Sequence, residues 1–304
     1  VAGRVARRPG ERVPPRHPLA PGRWATWPAI LYLGVLTQVP FVVTLYLSAH
    51  SWNLLYPNRG VRFVGLANYL ALVRDPVFQT AVLNTVTFTA VTVIASTLLG
   101  LGLALLLNAM TAGRGLAYTL LLAPFLVMET VSPIIWKNMI LNPVYGLLNW
   151  LLGLVRIGAV DPIGEQPALA ILVIVGWQWT PFMMLILLAG LQSRPRELTE
   201  AAAVDGARSP QVFRFVTLPH LRPFFAVGML LEAILLLPMF GPIYVATYGG
   251  PGFATTNLTF DVYRLLTQQY EIGKAAAGGV VTAAMTIAAT MALLAYLRPM
   301  MERR

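Results

Sequence analysis

Six long apolar runs restrict this chain to one class of fold. Each is at least about 20 residues, the length that crosses roughly 30 Å of hydrocarbon as a helix. They lie near 26–48, 81–109, 117–140, 168–192, 223–246 and 274–298. In a bilayer every backbone N–H and C=O must be paired within the protein, so such runs become helices. The expected fold is an all-α polytopic membrane protein with six transmembrane helices. Of its 304 residues 57% are hydrophobic and only 11% charged, against about 25% charged in soluble proteins. A basic stretch precedes the first run, yet that run is too long for a signal-peptide core and five more follow. It reads as a retained anchor.

The net charge of +10 would suit a nucleic-acid binder, but its distribution argues otherwise. Arg4, Arg7, Arg8, Arg12, Arg16 and Arg23 precede the first run, and Arg194, Arg196, Arg208, Arg214 and Arg222 cluster between the fourth and fifth. Arg298, Arg303 and Arg304 close the chain. All flank apolar segments, where cations fix orientation and meet anionic lipid headgroups. With six spans both termini share a side, and the positive-inside rule places them, with the 193–222 loop, in the cytoplasm of a bacterial plasma membrane. There is no cysteine, which removes disulfides, thiol catalysis and zinc–thiolate sites. His17, His50 and His220 form no metal-ligand pair.

The polar segment between the fourth and fifth runs is longer than a plain connection requires. Ser193 and Pro195 offer a helix start, good helix formers run from Arg196 to Asp205, and Gly206 supplies a left-handed stop. Ser209 and Pro210 then form an N-cap and first-turn proline for a second helix, expected to stop before Pro219. The product is a stiff helix-turn-helix bracket. Such a bracket docks into a partner's groove or simply rests on headgroups, and spacing alone leaves both open.

Glu200, Ala201, Ala202, Asp205, Gly206, Ala207, Phe213, Leu218, Pro219 and Pro223 fall on the pattern of the cytoplasmic "EAA" loop. The segment thereby resembles that of bacterial ABC importer permeases. Phe63 to Tyr69, Asp75, Asn84-Thr85, Asn142-Pro143, Gly146 to Asn149, Ile243-Tyr244 and Gly249-Gly250-Pro251 look like the carbohydrate-uptake branch, of the maltose and glycerol-phosphate kind. Thr255 to Leu258 and Ile272 to Ala275 lean toward sorbitol and mannitol permeases. The likeness covers nearly everything beyond the tail at 1–25, making residues 26–304 one permease domain. It implies a sugar or polyol carrier whose loop fits a cleft of a separate ATPase through Glu200, Ala201, Ala202, Asp205, Gly206, Ala207, Leu218 and Pro219. It also implies two ATPase subunits, a second permease forming a heterodimer, and an extracytoplasmic solute-binding protein. ATP and Mg would sit on the ATPase, with no cofactor on this chain, which has no Walker A sequence.

Charges at membrane depth are costly, so Glu129 and Glu232 are candidates for a substrate path. A glutamate tied to a neighbouring helix is the competing reading. Asn84, Trp177, Gln178 and Tyr244 join them, because aromatic faces and amide groups suit sugar rings. Pro238, Phe240, Gly241 and Pro242 should break the fifth span, a common way to line a cavity. The alternative class, an ion-coupled secondary transporter or channel, would call for intramembrane acid/base pairs or repeated halves, and neither is evident. Short interfacial helices are expected near Val64 to Phe78, Asn142 to Leu154 and Asn257 to Tyr270.

Overall fold

A computed structural model describes residues 22–302. The tail expected over 1–25 falls outside the described residues as far as position 21, and from Gly22 the chain is helical. The chain divides into two units, one ending at Val43 and one running Thr44–Arg304. The first, where described, consists of most of helix α1 (Gly22–Ser48).

The second unit begins with the end of α1 and a two-stranded antiparallel ribbon, β1 (His50–Ser51) with β2 (Arg62–Phe63). Next come α2 (Ala67–Arg74), α3 (Pro76–Ala109), α4 (Arg114–Leu126) and α5 (Val131–Ile135), the last continued by a π-helical turn, Trp136–Ile140. Then follow α6 (Leu147–Leu154), α7 (Pro162–Glu165), α8 (Pro167–Gln192) and α9 (Arg196–Val204). The chain continues with α10 (Ser209–Val212), a second π-helical turn at Phe213–Thr217, and α11 (Leu218–Leu236). It closes with α12 (Gly241–Ala246), α13 (Leu258–Thr267) and α14 (Ile272–Glu302).

Among the described residues five helices are long and apolar enough to span a bilayer, and a bent pair makes a sixth. That matches the expected class and count, with several corrections of detail. The second span starts at Pro76 instead of 81, because Asp75 caps it: its carboxylate accepts the Val77 N–H at 2.9 Å. Val77 and Phe78 therefore belong to the span and not to an interfacial helix. The third run is no straight helix; its two halves meet at 98° across Val127–Thr130. The fifth breaks after Leu236 and restarts at Gly241, where the prolines predicted it.

Small residues set how closely the helices approach. A Cβ added at Gly100 on α3 would lie 2.8 Å from both the Met183 Cβ and the Met184 backbone nitrogen on α8. Gly190 lies equally close to Leu221 and Phe224, and Gly228 to the Met183 sulfur. Van der Waals packing drives association between helices in lipid, so these glycines are the seams of the bundle. Two buried clusters fill the bundle: Leu107, Met184, Leu187 and Leu221 pack together in the one that meets these glycines, and Phe88, Ile174, Leu236, Ile243 and Phe260 in the other.

The loops between the spans are pinned by side chains. Asn68 donates to the Ser48 and His50 carbonyls at 2.8 and 2.9 Å. Arg264 makes a buried ion pair with Asp261 at 2.7 Å. Burial pushes the Asp261 carboxyl up from its ordinary range, and the Arg264 guanidinium opposes that shift.

Gly100→Val should force apart α3 and α8, because the obstruction is backbone and cannot swing away. An overpacking cost of about 1–3 kcal/mol is expected, read as a lower thermal midpoint in detergent. Gly102→Val, with nothing within 4 Å, is the matched control that leaves the midpoint unchanged.

Candidate functional site

Two regions contain most of the sequence-selected residues: a pair of helix breaks in the bundle, and the bracket.

A helix break exposes carbonyls that have lost their intrahelical donors, and in a dry environment each needs a replacement. At the first break Gln178 on α8 supplies one: its Nε2 donates to the Val127 carbonyl at 2.8 Å. At the second, the Asn257 amide donates to the Met239 carbonyl at 2.5 Å. The two breaks also touch each other. The Gly241 N–H, opening α12, donates to Glu129 Oε1 at 3.2 Å. A Cβ at Gly241 would stand 3.2 Å from the Glu129 Cγ and 3.3 Å from its carbonyl oxygen, so only glycine fits without displacement. Glu129 is otherwise exposed. Glu129, Gln178 and the start of α12 thus form one connected knot.

The other path candidates fall elsewhere. Trp177, beside Gln178, packs edge-on against Trp136 at 5.7 Å. It lines a cavity of about 920 Å³ between α3, α4 and α8 that is almost wholly apolar. Tyr244 lies on α12, stacked on Phe240 at 5.1 Å and 37% exposed. Asn84 is committed to the loop before α13, donating to the Ala254 and Thr256 carbonyls at 3.1 and 2.9 Å. Glu232 is fully buried, its Oε1 accepting the Ser96 hydroxyl at 2.6 Å while Oε2 has no partner. That geometry favours the helix-tied reading of Glu232, between α3 and α11, over a path-lining one. Asn257 carried no role in the sequence reading beyond a helix start. An asparagine N-cap spends its amide oxygen on the Phe260 N–H and keeps its NH2 free to donate, and here that NH2 serves the break.

The bracket has a tip and two feet. Gly206 adopts φ +75°, ending α9, while the Asp205 and Ala207 N–H groups donate to Ala201 and Ala202 at 3.0 and 2.9 Å. Glu200, Ala201, Asp205 and Gly206 are exposed and Ala202 and Ala207 half-buried, so six of the eight motif residues meet at the tip. Val204 stands among them 87% exposed, an apolar side chain that no motif position had singled out. Arg208, not Ser209, takes the cap position of the second arm, its N–H donating to Gln211 Oε1 at 2.7 Å.

The second arm does not stop before Pro219 as expected. It runs through the π-helical turn into α11 without a break. Proline removes one N–H and crowds the preceding turn, and the wider π turn across 213–217 relieves both. Leu218 and Pro219 therefore sit half-buried at the foot, away from the tip. The feet are tied together: Arg194 bonds the Thr217 hydroxyl, and His220 Nε2 lies 3.1 Å from the Gly190 carbonyl and 3.2 Å from the Ser193 hydroxyl.

Gln178→Leu strands the Val127 carbonyl and should cost about 1–3 kcal/mol, read as a lower thermal midpoint in detergent. Glu232→Gln keeps an acceptor for Ser96 and should leave that midpoint close to wild type.

Comparison with known proteins bears on these arrangements. Residues 96–304 match the family described as "Binding-protein-dependent transport system inner membrane component". A trehalose/maltose transport system permease protein of Thermococcus litoralis is 38% identical, over 82% of this chain and 84% of that protein. A sulfoquinovosyl glycerol transport system permease protein of Agrobacterium fabrum is 31% identical over 91% and 94%. A solved chain from a bacterial ABC transporter that imports the acidic polysaccharide alginate superposes with a TM-score of 0.77 at 21% identity, covering 91% of this chain and 94% of that one.

Proposed function

We propose that the solute carried by this chain is a sugar or polyol; the chain belongs to the binding-protein-dependent transport system inner membrane components, and it is a permease subunit of an ATP-driven importer. The solute class is supported by relatives whose names specify trehalose and maltose, sulfoquinovosyl glycerol and sn-glycerol-3-phosphate. Polyol transport, suggested by Thr255 to Leu258, rests on sequence likeness alone.

The observation that carries the mechanism is the unbroken line from bracket to break. A load on the exposed tip at Glu200–Ala207 passes along the second arm, through the π turn, into α11. Helix α11 ends at Leu236, and the chain hinges over the four residues before Gly241. There the Glu129–Gly241 contact hands the displacement to the bend between α4 and α5. A separate ATPase, holding ATP and Mg, would press on the tip, and the two breaks would open the path alternately to each side. The small side chains of Ala201 and Ala202 admit a close partner surface, Val204 adds an apolar contact and Glu200 an acceptor.

This reading places the bracket and both termini in the cytoplasm, following the basic residues. It requires two ATPase subunits and an extracytoplasmic solute-binding protein. A second permease completes the path, since the knot at Glu129 is one wall and not an enclosed tunnel.

Glu200→Arg puts a cation where the partner expects an acceptor. Gly206→Val forces a β-branched residue into the left-handed region, at about 1–2 kcal/mol. Both variants should insert and assemble yet fail to accumulate labelled solute, with ATP hydrolysis no longer stimulated by the loaded binding protein. Wild-type accumulation in either would sink the docking role. Solute movement by this chain alone in liposomes, with no ATPase subunit present, would instead support the secondary-transporter class.

A further inference from the structure

Where the chain leaves α12 it gathers five aromatic rings. Phe240 and Tyr244 stack at 5.1 Å, Tyr263 stands edge-on to Tyr244 at 5.2 Å, and Tyr248 lies 5.4 Å from Tyr244 and 5.5 Å from Phe260. The cluster is graded. Phe260 is buried in the core with Phe240 and Tyr263 packed partly against it, while Tyr244 is 37% and Tyr248 52% exposed. A polar group joins it: the Gln268 amide donates to the Tyr248 hydroxyl at 3.3 Å.

Tyr248 is held there against its backbone preference. Its φ is +53°, a conformation rare for a bulky residue and, where it occurs, concentrated at functional positions. The next residue explains why it persists. Gly249 has φ +81°, and a Cβ there would stand 2.4 Å from the Phe260 ring and 2.7 Å from the Thr256 hydroxyl. The turn is wedged against the core, so Tyr248 takes the left-handed position and its ring is turned outward. Simple core packing would bury this ring; the turn instead exposes half of it.

We propose that Tyr244, Tyr248 and Tyr263 form a platform that receives a sugar ring at the end of the path beyond α12, opposite to the bracket. The inference rests on the saccharide reading above. A pyranose has an apolar C–H face and a rim of hydroxyls. The exposed tyrosine faces offer the first a surface. The clustered phenols and Gln268 offer the second both donors and acceptors. Helix α12, which carries Tyr244, starts at the Glu129–Gly241 contact, so a ring bound here lies on the element that the proposed hinge moves.

The test is uptake of radiolabelled trehalose and maltose by the complete importer, measured as KM and maximal rate. Tyr248→Ala should raise KM about tenfold and Tyr248→Phe about threefold, as expected for losing a stacked face or one hydroxyl. Tyr263→Phe should resemble Tyr248→Phe. Maximal rate, ATP hydrolysis without solute and co-purification of the second permease should stay as in wild type. An unchanged KM in Tyr248→Ala and Tyr263→Phe overturns the platform and leaves the saccharide reading intact. Loss of the second permease from Tyr248→Ala, with normal KM in both Phe variants, identifies the cluster as a subunit contact and also overturns it. Wild-type importer that moves neither these two sugars nor sorbitol, mannitol, sulfoquinovosyl glycerol or sn-glycerol-3-phosphate removes the saccharide reading, and the platform with it.

Discussion

A broken helix in a bilayer must find outside donors for the carbonyls it releases, and this structure depends on meeting that requirement twice. Val127 is served by Gln178 and Met239 by Asn257. These two amides allow the third and fifth apolar runs to bend where intact helices would otherwise be cheapest. Without them the bends would straighten or admit water. With them, the two bends come within hydrogen-bonding distance of each other through Glu129 and Gly241.

The second consequence is mechanical. A bracket that ended before Pro219 would be a hinged flap, able to move without disturbing the bundle. Continuity through the π turn makes it one piece with α11, as the proposed lever requires, and its feet are joined through Arg194, Thr217 and His220. The helical path is next interrupted at the four residues between Leu236 and Gly241. Close packing around Gly100, Gly190 and Gly228 stiffens what lies between. A motor acting on such a body shifts the breaks more readily than it deforms the helices.

The fold was largely legible because its strongest signals are local. Run length gave the spans, Asp75-Pro76 carried a cap that only its register concealed, and Gly206 marked the end of α9 in advance. The break of the fifth span was written in Pro238 and Pro242. The 98° bend in the third had weaker punctuation: Pro124 and Pro133 flank it, but the bend itself falls at Val127–Thr130. The candidate site was legible in part. Glu129, Gln178 and the start of α12 converge, whereas Asn84 is bound into the loop before α13 and Glu232 is sealed against Ser96. Nothing in a single sequence separates an asparagine that meets solute from one that holds a loop, since both use the same amide.

The sequence by itself determined which segments are helical, where lipid-length runs lie, and that the Glu200 segment forms a helix-turn-helix. These follow from interactions within a few residues along the chain: hydrophobic run length, capping and proline placement. Tertiary structure alone decided that the second arm is continuous with α11, that two breaks share one contact, and that five rings gather beside Tyr248. The contact between the breaks joins residues more than a hundred positions apart, Glu129 and Gly241, and the rings come from positions 240 to 263, on separate helices. Local propensity carries no information about such distances; only packing of the whole bundle brings the partners together.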